Sequence, residues 1–331
     1  LGWNQETAIY LMNQNYKEDF LLISEIFRLF DLPEENQLTL TSESFTKTQE
    51  EGADISVWMD INKLNKYRNP VGMIVPGQKV SQGIYNAWIN FEKGEMNIKT
   101  RYYSSNDEPD KKDGALLLKE SINANLLKGV PKERVLGSFN LGLNIPIIKT
   151  QMDKDGVLDS SQNYLELVNT NAREVLEMLT GDMTSCLLDS DDETDFFISL
   201  GIKENNTSNK IINSLDEFGL IKPFDGYYTL FNQYIILNEK NRVVITSDFE
   251  VAKNIMEGNE ELPGEDLTDD LSKNPIVFSL DLENLPIKSY VQMKSYWKKY
   301  PVNFDEIEHI YFSQSSISNN ISNGTANVSF K

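Results

Sequence analysis

From Ile55 onward apolar and polar residues alternate along much of the chain, and a period of two marks strands rather than helices. Ile55, Val57, Met59 and Ile61 fall on one side of such a strand, with Ser56, Trp58 and Asp60 on the other. Two more alternating runs follow. Tyr85, Ala87, Ile89 and Phe91 share a face in the first, Met96, Ile98, Thr100 and Tyr102 in the second, and Lys93-Gly94 between them predicts a hairpin turn. Upstream the spacing is different: Phe20, Ile23, Phe27 and Phe30 recur at three and four until Pro33, which predicts an amphipathic core helix.

The same order of elements returns near the C-terminus. Residues 276–285 (IVFSLDLENL) align without gaps on 55–64 (ISVWMDINKL), matching Asp281 to Asp60 and Leu285 to Leu64. A helix carrying Tyr290, Met293, Tyr296 and Trp297 is predicted next, then a hairpin of 310–317 and 325–330. A third copy is read from Ser138 (SFNLGL), through a helix bearing Leu165, Val168, Ala172, Val175 and Leu179, to strands at 183–188 and 196–202. The expectation is therefore an α+β protein of antiparallel sheets with helices packed on one face, in repeated strand-helix-hairpin units. Between the copies lies a further hairpin, 234–237 against 243–246. The helix after it has Ser247 as predicted N-cap, Glu250 three residues on, and Gly258 as its stop. The acidic stretch 257–270 and the charged stretch 106–114 read as exposed loops or boundaries. The chain, 1–331, is read as one region, with a division into 1–112 and 113–331 as the alternative.

Composition narrows the partners. Among 331 residues, 51 acidic against 31 basic side chains give a net charge of -20, a surface that repels phosphate backbones and anionic lipid headgroups. Nucleic acid is excluded as a partner on that ground. No apolar run has the length of a membrane span, and residues 1–10 carry no signal-like region. Beginning at Leu1, the chain reads as a mature or trimmed segment. One cysteine, Cys186, permits no intrachain disulfide and lies in an apolar stretch, as a packed core thiol would.

Two segments resemble a known family: 176–188 (LEMLTGDMTSCLL), where a helix meets Gly-Asp and a strand, and 242–255 (RVVITSDFEVAKNI), where a strand meets a capped helix. They are similar to Bacteroidetes lipoproteins classed as a domain of unknown function of the 4836 type. The Asn-rich character, as at Asn205-Asn206 and Asn319-Asn320, suits that source. The resemblance implies an envelope protein facing the periplasm or the outer-membrane surface, attached to a membrane only by a lipid anchor that this chain lacks. It brings no assigned activity and no catalytic residues.

Candidate chemistry is thin. His309 is the sole histidine, which makes paired-His zinc sites and most His-based triads hard to build, and no catalytic residue is assigned. No cofactor motif is present. Calcium is the one ion with candidate ligands, at Asp153, Asp155 and Asp159 around Gly156. The closing bidentate Glu of the twelve-residue calcium loop is missing, so solvated turn carboxylates are the plainer reading. Trp58 and Trp88 are the candidate ligand-binding residues, because an aromatic ring on a sheet stacks on sugars or anchors a protein. The reading is a non-enzymatic envelope protein with a protein or glycan partner. Its rival is a glycoside hydrolase or other envelope hydrolase using two carboxylates, for which Asp60 and Asp281 are the repeat-related pair.

Overall fold

A computed structural model describes residues 2–3, 8–9, 43–60, 83–104, 117–154, 156–160, 169–190, 193–259, 261–297, 304–315 and 321–331. The chain forms two compact units, Leu1–Ala53 and Asp54–Lys331. In the first, strands β1 (Gly2–Trp3) and β2 (Ala8–Ile9) pair antiparallel, and helix α1 spans Glu43–Glu50. The helix expected around Phe20 to Phe30 lies outside the described residues.

The second unit is organised by one sheet of thirteen strands. In chain order these are β3 (Ile55–Asp60), β4 (Gly83–Glu92), β5 (Glu95–Ser104), β6 (Val135–Gly142), β7 (Leu179–Ser190), β8 (Glu193–Ile202), β9 (Ile221–Phe224), β10 (Tyr227–Leu230), β11 (Tyr234–Asn238), β12 (Arg242–Thr246), β13 (Ile276–Asp281), β14 (Ile307–Gln314) and β15 (Ile321–Phe330). Across the sheet they run β3-β4-β5-β15-β14-β13-β6-β7-β8-β12-β11-β10-β9. Every pairing is antiparallel. The β4–β5 hairpin closes at Lys93-Gly94, where Gly94 takes φ +80, a conformation that suits glycine.

The helices are short and lie on both sides. They are α2 (Ile145–Lys154), α3 (Val157–Ser160), α4 (Ala172–Met178), α5 (Asn206–Glu217), α6 (Phe249–Met256), α7 (Glu265–Lys273) and α8 (Ile287–Trp297). On one side, called face A, Cys186, Leu188, Phe197, Leu237, Val244 and Val277 pack with Val251 and Ile255 of α6 and Leu271 of α7. On the opposite side, face B, Tyr290 and Met293 of α8 pack over Leu136, Leu187, Leu280 and Ile310. Farther along face B, Ile212 and Leu215 of α5 cover Ile236, Val243 and Ile245. Full burial of each large aliphatic or aromatic side chain contributes about 1.5–3 kcal/mol, so the two-sided centre is the most stable part of the sheet.

This overturns the α+β expectation with helices on a single face. The protein is mostly antiparallel sheet, and its few helices are distributed over both faces. Alternation had been read as one buried and one wet face, yet in β12 Val244 belongs to one core and Val243 and Ile245 to another. A strand buried on both sides can keep a period of two when its second face is lined by Thr, Ser and Val.

Smaller differences have local causes. The N-cap of α6 is Asp248, whose side chain accepts from the Val251 amide at 3.0 Å; Ser247 instead donates to Asp195 and accepts from the Phe196 amide. The acidic 257–270 stretch is partly helix α7, because Leu267 and Leu271 recur at four and anchor it to the core. Of the helix expected from Leu165 to Leu179, α4 supplies Ala172–Met178, 161–168 lie outside the described residues, and Leu179 is already strand. Strands β9 and β10 were not foreseen, although the Asp225-Gly226 pair that joins them is a hairpin signal.

Candidate functional site

The register places Trp58 and Trp88 on the same face. Trp58 stands opposite Asn86 and Trp88 opposite Ser56, so the two rings are diagonal neighbours on face A of β3 and β4. Trp88 is 2 % exposed, and the Arg101 guanidinium lies over its ring at 5.5 Å from the centroid. Such a contact contributes about 0.5–2 kcal/mol and holds Arg101 flat against the sheet. Trp58 is half-buried and keeps an accessible edge. Of the pair, Trp88 is buried and Trp58 is the more exposed ring.

Polar side chains extend this face across β5 and β15. Asn90, Asn97 and Asn327 occupy one cross-strand row, with Asn327 Nδ2 donating to Asn97 Oδ1 at 2.8 Å. In the next row Trp88, Lys99, Thr325 and Ser313 stand side by side, and Ser313 and Thr325 are hydrogen-bonded at 3.0 Å. In the third row Arg101 Nε donates to Asn323 Oδ1 at 3.0 Å. Lys99, Asn323 and Thr325 are exposed, and Lys99 makes no ion pair among the described residues. At the hairpin end of the amide row Asn327 also donates to Glu95, at 3.4 Å. The result is a strip of amides and hydroxyls with two cations, backed by indole.

The face behind it is the reverse. Ile55, Met59 and Phe91 line face B of β3 and β4 and are 47, 37 and 56 % exposed. Sequence reasoning took this apolar row as the buried one. The opposite row carries Trp88 and Asn86, both buried.

The remaining candidate residues are dispersed. Asp153 is ion-paired with Arg173 at 2.7 Å, Asp155 lies outside the described residues, and Asp159 sits in α3. Among the described residues no three His, Cys, Asp or Glu side chains cluster as a metal site. Asp281 accepts from the amide of Asn284 at 3.0 Å and from its side chain at 2.7 Å, which is turn capping. Cys186 is buried and its thiol is pushed up to about 12 by burial, far from a thiolate nucleophile. An open cleft of about 590 Å³ between α4 and α5 is lined by Glu174, Glu177, Glu204 and Lys210. Lys210 holds the Glu174 carboxyl below its usual range, and Lys149 does the same to Glu177. A general acid needs the opposite shift.

Fold and site together define an antiparallel sheet protein with a polar, aromatic-backed face and no assembled catalytic constellation among the described residues. The family model described as Domain of unknown function (DUF4836) matches residues 1–310, and the chain belongs to that family. A search of curated proteins found no match to this chain.

Proposed function

We propose that this chain is a non-catalytic binding protein of the cell envelope whose β3–β4–β5–β15 face holds an anionic glycan. The observation that carries this reading is the row of Asn90, Asn97 and Asn327 beside exposed Lys99, on a face backed by Trp88. Amides on neighbouring strands stand ~4.8 Å apart, on the scale of one sugar ring, and the groups not engaged within the row, such as Asn97 Nδ2 and Asn327 Oδ1, are of the kind that meet sugar hydroxyls. Trp58 supplies a ring to stack on the apolar face of a sugar. Lys99 and Arg101 supply positive charge on this face, a local exception on a chain of net charge -20, and would meet a carboxylate of the sugar. Envelope placement is supported by the resemblance to lipoproteins.

The test is calorimetric titration with an oligogalacturonate, using a neutral malto-oligosaccharide as control. Binding of the uronate, weakened roughly tenfold or more by Lys99→Glu and by Asn97→Ala, is the expected result, since each removes an interaction on the order of 1.5 kcal/mol. Equal binding of the neutral sugar, or affinity unmoved by both substitutions, refutes the assignment. Hydrolysis of the oligosaccharide during the titration would favour the two-carboxylate hydrolase instead.

A further inference from the structure

Three fully buried polar side chains stand side by side in the middle of the sheet, on face A. Asn140 of β6 is opposite Thr184 of β7, and Thr184 is opposite Ser199 of β8. All three are 0 % exposed, and Asn140 Oδ1, Thr184 Oγ1 and Ser199 Oγ have no hydrogen-bond partner among the described residues. The rest of the neighbourhood is satisfied. Asn140 Nδ2 donates to Ser138 Oγ at 3.1 Å and toward the Val277 carbonyl at 3.5 Å, which pins the amide on the β13 side and leaves Oδ1 as the branch facing the other way. Ser138 in turn meets Ser279 at 3.0 Å.

Water cannot reach these oxygens along the row, because Val277 closes one end and Val244 the other, both fully buried. Above them the 3-10 turn Ala124–Leu127 packs against β7 and β8, with Leu126 and Leu127 buried. Asp182, one register step along β7, is held by Lys119 at 2.6 Å, so the nearest charge is already neutralised. An oxygen left unpaired in such a place lowers the folding constant by roughly tenfold, and three in contact would be a large defect.

We propose that Asn140, Thr184 and Ser199 form an internal hydration site in which ordered water bridges the three strands. Cross-strand hydroxyls can meet directly, as Ser138 and Ser279 do at 3.0 Å, but Thr184 and Ser199 make no such contact, and a separation of about 4.5–5.5 Å at Cβ leaves room for an intervening water where the hydroxyls turn away from each other. A water donating to Asn140 Oδ1 and Ser199 Oγ while accepting from Thr184 makes the three hydrogen bonds typical of buried waters. Three neutral oxygens without a carboxylate suit water better than a divalent cation, which needs more and harder ligands. The bridge also ties β6, β7 and β8 to one register, since a one-residue slip of any of these strands would send its side chain to face B.

The sign of a stability change tests this. With water in place, Thr184→Val and Ser199→Ala each remove a partner and are expected to lower the folding constant roughly tenfold, with a double variant worse than either single but by less than the product, because the water leaves when it is left with one partner. In a dry site each substitution replaces an unpaired hydroxyl by an apolar group and the folding constant stays equal or rises, which overturns the proposal. A crystal structure of the unmodified chain at a resolution that shows waters gives a second reading, independent of folding. Density within hydrogen-bonding distance of all three oxygens supports the site; direct contacts among the three, no density, or a cation at metal–oxygen distances overturns it.

Discussion

Arg242 offers the sharpest test of how the sheet is held to the segment that covers it. The residue is 8 % exposed, and its side chain leaves the end of β12 to meet the 3-10 turn Ala124–Leu127. Nη1 donates to the carbonyls of Leu126 and Lys128, each at 3.0 Å, and more weakly to that of Asn125 at 3.4 Å, while Nε donates to Glu239. Replacement by Met keeps the apolar stem and removes every donor. The two short bonds to carbonyls involve a charged donor and contribute about 1.5–3 kcal/mol each, and water can rehydrate part of the freed turn, so a net loss of about 4 kcal/mol is expected. With ~2.1 cal/mol/K of unfolding entropy per residue, a unit the size of Asp54–Lys331 would melt about 7 °C lower. Differential scanning calorimetry measures this directly, and hydrogen exchange at the amides of Leu126 and Val130, which bond to Asn123 and Leu127 within the turn, should quicken more than exchange in β7. Arg242→Lys, which keeps charge but loses the planar fork, should fall between. A melting point within 1 °C of the parent for Arg242→Met would refute the view that this side chain staples the turn to the sheet.

Three further outcomes follow from named contacts. Lys294, and after it Tyr290, holds the Asp305 carboxyl below its ordinary value of 3.8; because the folded value is depressed, the stabilisation is present above pH 3.8 and is lost as pH falls through the folded value. An NMR titration should place Asp305 below 3.8 and Lys294→Met should return it upward; a midpoint at or above 3.8 in the parent contradicts the pairing. Cys186, with its thiol near 12, should resist a thiol reagent at pH 8 in the native state and react once urea unfolds the chain, so stoichiometric native labelling would show the site open. Pro223 sits on edge strand β9 one residue from the closing pair Phe224–Tyr227, where its nitrogen faces outward and offers no donor. Pro223→Val restores that donor and should produce concentration-dependent self-association by analytical ultracentrifugation, whereas an unchanged sedimentation profile would mean that Pro223 does not guard the edge.

Much of the strand pattern could be read from the residues, because alternation survives wherever one face differs from the other. The β4–β5 and β11–β12 hairpins fall close to where 85–102 and 234–246 place them. The layer arrangement could not be read the same way. Whether a Thr or Ser on the second face of a strand meets water or a helix depends on chain folded far away, and α6, α7 and the Ala124–Leu127 turn bury Thr184, Ser199 and Thr246 completely. The helix α7 was hidden for a related reason: its acidic surface masks two leucines whose partner, Val277, comes from another strand. Strand β9 is only four residues and contains Pro223, so it offers too short a period to detect.

The candidate site was legible as residue types and not as a surface. Trp58 and Trp88 are thirty positions apart, and their diagonal placement depends on the Ser56–Trp88 register, which only a formed sheet defines. Asn97 and Asn327 come from opposite ends of the chain and meet because β5 pairs with β15. For the binding proposed above, that pairing would matter more than either tryptophan, since it converts scattered asparagines into a row with fixed spacing while Arg101 lies over the Trp88 ring. A ligand face preorganised in this way loses little conformational entropy on binding. It also makes binding depend on the β5–β15 seam, so a substitution that loosens the seam from face B, such as a bulky residue at Gly324, whose Cβ would lie 2.5 Å from Thr100 Oγ1, should weaken the ligand without touching it.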